Sequence, residues 1–277
     1  MNIEVLGALN VRLNDASVTP TAPKPRQVLA MLALHADRVV PVASLIEELW
    51  GERPPRSART TLQTYVLQLR ELISGALRRE PQGAPPRTAK EVLATAPGGY
   101  VLNTAGGASD VRDFERLAGL GYRAMDAGDF AGAARQLRDA LALWTGGALA
   151  DVPAGTQLET RVRGLEETRL CALDQRIEAD LRLGRHRELL GELTMLVSRY
   201  RTHETLHGQL MLALHRSGRR SEALDVYQRL RTALVRELGL EPSTALRRVQ
   251  RSILMAGPEA ALDAPAPAAG RLLSRAG

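Results

Sequence analysis

Leu62, Val66, Leu69 and Ile73 recur at spacings of four, three and four. That interval puts four apolar side chains on one face of an α-helix. What flanks this stripe restricts the fold further. Upstream, Pro54 and Pro55 cannot continue a helix and suit a turn or a helix start. Ahead of them Leu45, Ile46 and Leu49 form the inward side of a shorter helix, 42–50. Downstream, Glu91 to Asn103 reads as two strands, about 91–95 and 100–103, around a tight turn at Gly98-Gly99. Two helices joined by a tight turn, with a hairpin behind them, make a winged helix.

The second helix, 57–74, has Ser57 as its expected N-cap. Outside its apolar stripe stand Arg59, Thr60, Thr61, Gln63, Thr64, Gln68 and Arg70, with Tyr65 at the stripe's edge. Arginine can bind guanine bidentately, glutamine suits adenine, and threonine can bond a base or touch a thymine methyl. A merely solvated helix face is usually richer in Glu and Lys. Residues 53–90 instead hold eight basic residues, among them Arg53 and Arg56, and only two acidic ones, Glu71 and Glu80. Such a basic patch is the electrostatic footprint of a nucleic-acid site.

With these residues in view, the chain resembles the Streptomyces antibiotic regulatory protein family, the AfsR/DnrI/RedD group. The resemblance is carried by Leu49-Trp50-Gly51, the run from Arg53 to Arg70, the hairpin Ala96-Pro97-Gly98-Gly99-Tyr100 and the opening pattern Ile3-Glu4-Val5-Leu6-Gly7. It covers roughly residues 1–256. The N-terminal part is similar to OmpR-type winged helices, and the rest to the bacterial transcriptional activation domain. The resemblance implies that Thr60, Thr61, Thr64, Tyr65 and Gln68 face bases. It implies that Arg56, Arg59 and Arg70 hold phosphates or guanines. Arg87, Lys90 and the turn Gly98-Gly99 would then lie along the DNA backbone.

The first strands fall within 3–21, where Ile3, Val5, Leu9, Val11 and Leu13 alternate with polar or small residues and Asn14-Asp15 marks a turn. A first helix starts after Pro23-Lys24-Pro25. The stretch 75–90 is too rich in Pro, Gly and Arg for a packed element and reads as a mobile loop. Residues 104–109 read as a flexible linker. With aromatics at 3%, any core must be built from Leu, Ala and Val. The net charge of +6 favours a polyanionic partner.

The second half repeats itself. Gly184-Arg185-His186-Arg187-Glu188-Leu189-Leu190 and Gly218-Arg219-Arg220-Ser221-Glu222-Ala223-Leu224 are similar and lie one tetratricopeptide period apart. An earlier copy begins at Gly128-Asp129-Phe130. In each copy the glycine marks the turn between two antiparallel helices. A small residue five positions on, Ala133 or Ala223, allows close packing, and Leu189 replaces it in the middle copy. The stretch 146–156 reads as an inserted connection. Stacked repeats make surfaces suited to proteins and peptides.

One motif points to an enzyme. His203-Glu204-Thr205-Leu206-His207 spells H-E-x-x-H, the zinc-protease pattern. Leu206, Leu210 and Leu214 supply a core stripe through the same segment, and Leu210 and Ala213 occupy the places of a metzincin's Gly and third His. The pair therefore reads as surface histidines that meet by chance. The lone Cys171 allows no internal disulfide and no cysteine metal cluster, and its neighbours Leu170 and Leu173 suggest a buried structural thiol. No phosphate-binding loop is written in the chain. No apolar run approaches the length of a membrane span, and the N-terminus alternates like a strand, unlike a secretory signal.

The expectations are these. The fold is an α+β, OmpR-like winged helix at 1–103, a linker at 104–109, and an all-α TPR-like domain at 110–256, with a disordered Ala/Pro-rich tail at 257–277. The function is sequence-specific activation of transcription, without enzymatic activity, cofactor or metal. The resemblance implies control of a secondary-metabolite gene cluster through promoter direct repeats on double-stranded DNA. It also implies a homodimer on that DNA, contact with RNA polymerase through its sigma factor or another subunit, and a cytoplasmic location at the nucleoid. The alternative is a TPR-type adaptor whose winged helix touches protein and not DNA. A repressor would share the DNA-binding half.

Overall fold

The computed structural model describes residues 1–79 and 87–255. Strands β1 (Asn2–Glu4), β2 (Asn10–Leu13) and β3 (Ala16–Ser17) form an antiparallel meander. Its alternating apolar residues are buried on one face: Ile3, Val11 and Leu13 are at most 1% exposed. Asn14 and Asp15 both take positive φ, 50° and 62°, as a two-residue hairpin turn requires.

The winged helix follows. Its elements are α1 (Pro23–Leu34), β4 (Val40–Pro41), α2 (Val42–Trp50), α3 (Ala58–Leu77), the single turn α4 (Ala89–Val92), β5 (Leu93–Ala96) and β6 (Gly99–Leu102). The last two strands are the expected wing, and β4 joins them in a sheet of order β4-β6-β5. The α3 stripe behaves as its spacing requires: Leu62, Val66, Leu69 and Ile73 are each 1% exposed. They pack with Leu29 and Leu32 of α1 and with Leu45 of α2 in one apolar core.

Three local expectations are corrected. The loop expected at 75–90 is in part helical. Ala76 is buried, so α3 keeps its stripe and runs on to Leu77, and Thr88 and Glu91 form a reciprocal capping box that starts α4. Residues 80–86 of that loop, like the expected tail at 257–277, lie outside the described residues. The linker expected at 104–109 contains β7 (Ala108–Ser109), which pairs in parallel with β1. Ser57 occupies the N-cap position of α3, but its side chain makes no capping bond.

The rest is helical: α5 (Asp110–Asp126), α6 (Phe130–Ala142), α7 (Thr156–Arg182), α8 (His186–Arg199), α9 (Glu204–Arg216), α10 (Arg220–Leu238) and α11 (Thr244–Met255). Gly128, Gly184 and Gly218 take φ of 76°, 78° and 79° between α5 and α6, α7 and α8, and α9 and α10. Only glycine takes that left-handed turn without a steric penalty. Ala133 and Ala223 are fully buried. Cys171 is exposed, against expectation. The inward stripe of α7 is Leu158, Leu165 and Ala172, a seven-residue rhythm that leaves position 171 outside.

The chain divides into two compact units, one spanning Met1–Ala179 and one starting at Asp180. Packing thus does not divide the chain at 104–109, because polar bonds tie residues on both sides of that segment. The Asp110 carboxylate accepts the amides of Val5 and Leu6 at 2.6 and 2.8 Å. Asp151 accepts the Leu9 amide at 2.8 Å and pairs with Arg26. The inserted connection lies against the first strand's exit, where the amides of Thr145 and Leu149 donate to the carbonyls of Leu6 and Val5. Glu48 of α2, 2% exposed, accepts the amides of Gly155, Gln157 and Leu158 at 2.6, 2.9 and 3.0 Å, together with the Gln27 side chain at 2.7 Å. A carboxylate from the winged helix thereby satisfies the orphan amides at the start of α7. Within the same unit, Phe114 and Trp144 meet edge-on at 5.5 Å.

Candidate nucleic-acid interface

The outward side of α3 is a continuous polar surface. Thr60, Thr64, Leu67 and Glu71 follow one another along its middle at helical spacing, all exposed. Arg59, Gln63 and Arg70 run along one flank, and Thr61, Tyr65 and Gln68 along the other. Glu71 ends the uncharged and basic stretch. The part of α3 suited to a polyanion is therefore its first three turns, the part that recognition helices usually present to base edges.

Arg56 lies exposed in the turn before α3, and Arg59 is exposed in its first turn, which holds no acidic residue. Cations there face the positive end of the helix dipole, which costs stability unless an anion sits alongside. Thr60 and Gln68 are exposed and Thr61 is half-buried. The Thr64 hydroxyl donates to the Thr60 carbonyl at 3.1 Å. What Thr64 offers outward is thus its methyl group and an acceptor lone pair. Tyr65 is half-buried against the core, its ring shared between packing and surface.

Arg70 is also engaged within the fold. Its guanidinium donates twice to the Leu93 carbonyl, at 3.0 and 2.8 Å, and once to Thr95 Oγ1 at 2.8 Å. These bonds commit its Nε and one terminal nitrogen to β5 and pin the wing to α3. We expect Arg70→Ala to destabilise the fold by about 1–2 kcal/mol, read as a lower urea midpoint, and to weaken DNA binding through a loosened wing. Lost affinity at unchanged stability would instead place Arg70 on the DNA.

The wing is also held at its other edge. Val40 and Pro41 pair with Tyr100 and Gly99, and the first amide of α2 donates to the Gly98 carbonyl at 2.9 Å. Gly98 is exposed at the hairpin tip with φ of 77°. Gly99 is buried, and a Cβ there would collide with the Val40 carbonyl. Of the two, only Gly98 faces outward, and Gly99 serves the close approach of β4. Lys90 is exposed on α4, while Arg87 is half-buried beside it. The bonds to Thr88, joined by the charge of Arg87, hold the Glu91 carboxyl below its usual range. At the wing's exit Asp37 accepts the amide and hydroxyl of Thr104 at 2.7 and 2.6 Å. Burial pushes the Asp37 carboxyl up, but the two Thr104 bonds and nearby Arg112 outweigh it and hold the group below its usual value.

Leu67 was missed by sequence reasoning. It sits at the centre of the outward face, 56% exposed. Its position between Thr64 and Glu71 in the 3.6-residue rhythm was the signal. The histidine pair is not a pair of surface groups: His203 caps α9 by accepting the Leu206 amide at 3.4 Å, and His207 is 7% exposed with its Nδ1 against the His203 carbonyl. Among the described residues, no group of three or more His, Cys, Asp and Glu is placed to hold a metal ion. No described helix is long and apolar enough to cross a membrane.

Comparison with known proteins fits this geometry. Residues 17–83 match the family described as "Transcriptional regulatory protein, C terminal", and residues 109–254 match "Bacterial transcriptional activator domain". The chain is 51% identical to the regulatory protein DnrI of Streptomyces peucetius over 93% of each protein. It is 38% identical to the regulatory protein AfsR of Streptomyces coelicolor over 92% of this chain and 24% of that one. A solved structure, Mycobacterium tuberculosis EmbR in complex with a low-affinity phosphopeptide, superposes with a TM-score of 0.82 at 34% identity, covering 91% of this chain and 64% of that one. An OmpR-type winged helix followed by a bacterial transcriptional activator domain, in a chain this similar to DnrI and AfsR, makes it a member of the Streptomyces antibiotic regulatory protein family of transcriptional regulators.

Proposed function

We propose that this regulator is a sequence-specific activator of a secondary-metabolite gene cluster, acting on direct repeats in promoter DNA. In this reading α3 enters the major groove, and Thr60, Thr61, Thr64, Tyr65 and Gln68 meet base edges. Arg56 and Arg59 hold phosphates or guanines, and Arg87, Lys90 and Gly98 follow the backbone beside the wing. Residues 1–103 carry the DNA contacts. Residues 110–256 carry the contacts with a second copy on DNA and with RNA polymerase, through its sigma factor or another subunit. The protein works in the cytoplasm, at the nucleoid.

The observation that carries this is the first three turns of α3: exposed, free of acid, and headed by two arginines at the dipole's positive end. The test is fluorescence anisotropy of the full chain on its neighbouring promoter DNA and on scrambled duplex, at two salt concentrations. Arg59→Ala should weaken all sequences alike and reduce the salt slope by about one, whereas Gln68→Ala should relax preference at one base pair by about 1–3 kcal/mol. Unchanged binding in both variants would overturn the docking.

One observation favours the adaptor reading: Leu67, an apolar side chain in the middle of the outward face. On DNA it would meet a thymine methyl, and on a protein it would fill a pocket. Weak promoter binding without sequence preference at either salt would shift the assignment to the adaptor.

A further inference from the structure

The second unit holds a groove of about 710 Å³ that the DNA-binding reading does not use. Helices α8 and α10 form its walls and α9 its floor. Leu210, Leu214, Val226 and Leu230 are packed beneath it, and the half-buried Leu190, Val197 and Ala233 give its lining apolar surface. His207 is the floor's polar member, and burial, helped by nearby cations, pushes its imidazole below the usual value, which favours the neutral form. Charge appears only at the rim. Arg219 is tied to Glu222 through two bonds, at 2.7 and 2.6 Å, and that pair cancels. Arg201 and Arg229 remain, both exposed, and give the rim a net positive charge.

We propose that this groove is a docking site for an acidic amphipathic segment of another protein, apolar side chains inward and carboxylates against Arg201 and Arg229. Three features select that occupant. A channel between helices accepts the apolar stripe of another helix. The paired cations at the rim complement carboxylates flanking that stripe. A small-molecule site would need several polar groups converging from within, and this floor offers one imidazole. The inference rests on the second unit's geometry and stands apart from the DNA-binding reading.

The experiment uses the full chain and a fluorescein-labelled designed peptide of about 16 residues, long enough for marginal helicity. It carries leucines at helical spacing with glutamates on both flanks. Controls are the same residues scrambled to remove the stripe, and the same stripe flanked by lysines. Anisotropy should show saturable binding of the acidic amphipathic peptide alone. Arg201→Glu with Arg229→Glu, both at exposed positions, should weaken it at least about tenfold and should admit the lysine-flanked peptide instead. Promoter binding by the same variant should remain, which separates failure of this site from failure of the DNA reading. Equal binding of the scrambled peptide, or indifference to the double reversal, would overturn the proposal. So would a charge-reversed protein that binds no peptide but changes its monomer–dimer balance in sedimentation, since the groove would then be a contact between copies.

Discussion

Glu48→Ala is expected to lower the stability of the first unit by about 3–5 kcal/mol, since several buried donors lose a charged acceptor at once, at about 1–3 kcal/mol each. The reason lies in the number of groups that lose their acceptor. Glu48 meets three backbone amides at the start of α7 and the side chain of Gln27, all within 3.0 Å. The first amides of a helix have no partner of their own, and this site is closed to water, with Leu158 fully buried beside it. Alanine would supply no acceptor and leave a void as well. Glu48→Gln should be milder. It keeps the volume but turns one of two accepting oxygens into a donor that faces amides. Thermal denaturation followed by far-UV circular dichroism checks this, with an expected fall in Tm of about 10 °C for alanine. A Tm within a degree or two of the parent would mean that α7 keeps its start without this carboxylate.

Gly99→Ala is expected to cost about 3 kcal/mol, at the upper end for overpacking a closed site, and to release the wing. The new methyl would meet the carbonyl of Val40, a backbone atom that no rotamer change can move aside, and the Val39 side chain behind it. Relief requires parting β4 from β6, which breaks the pairing of Pro41 with Gly99. The wing would then depend more heavily on the Arg70 bonds to β5 and on the Asp37 contacts at its exit. Urea denaturation gives the stability loss, and promoter anisotropy should show weaker binding to every sequence with base preference kept. Full affinity in a destabilised variant would remove the wing from the DNA-contacting surface. Gly98→Ala is the informative neighbour: its Cβ would meet nothing within 4 Å, so its penalty is only that of a left-handed alanine.

What could be read ahead of the structure was local and periodic. The α3 stripe and the existence of the hairpin needed only spacing and turn chemistry, although the two-residue turn is Pro97-Gly98, one position earlier than expected, and Gly99 opens β6. The three glycines between helices were legible for the same reason, since a left-handed residue has a compositional signature. The capping box at Thr88 and Glu91 was written in the chain but was passed over, because the Pro- and Arg-rich residues around it argued for a loop. The bonds that Arg70 makes to the wing were not legible for a different reason. A guanidinium on a helix flank looks alike whether its partner is a phosphate or a carbonyl 23 residues away. Cys171 was placed inward by its leucine neighbours, whereas the stripe that decides burial runs through Leu165 and Ala172. The joint around Glu48 lies beyond such reading altogether. It unites residues more than a hundred positions apart, and no pattern within a helix announces which amides its carboxylate will meet.

That joint bears on how such a protein can be reassembled over generations. Two recognisable sequence modules, 17–83 and 109–254, invite recombination at the short segment between them. Yet the carboxylate that begins the long helix of the second module belongs to the first. A winged helix imported from another lineage would arrive without it, unless it already carried an acid at that place in its own second helix. The boundary most visible in the sequence is therefore a poor crossover point, and the two modules descend most readily together.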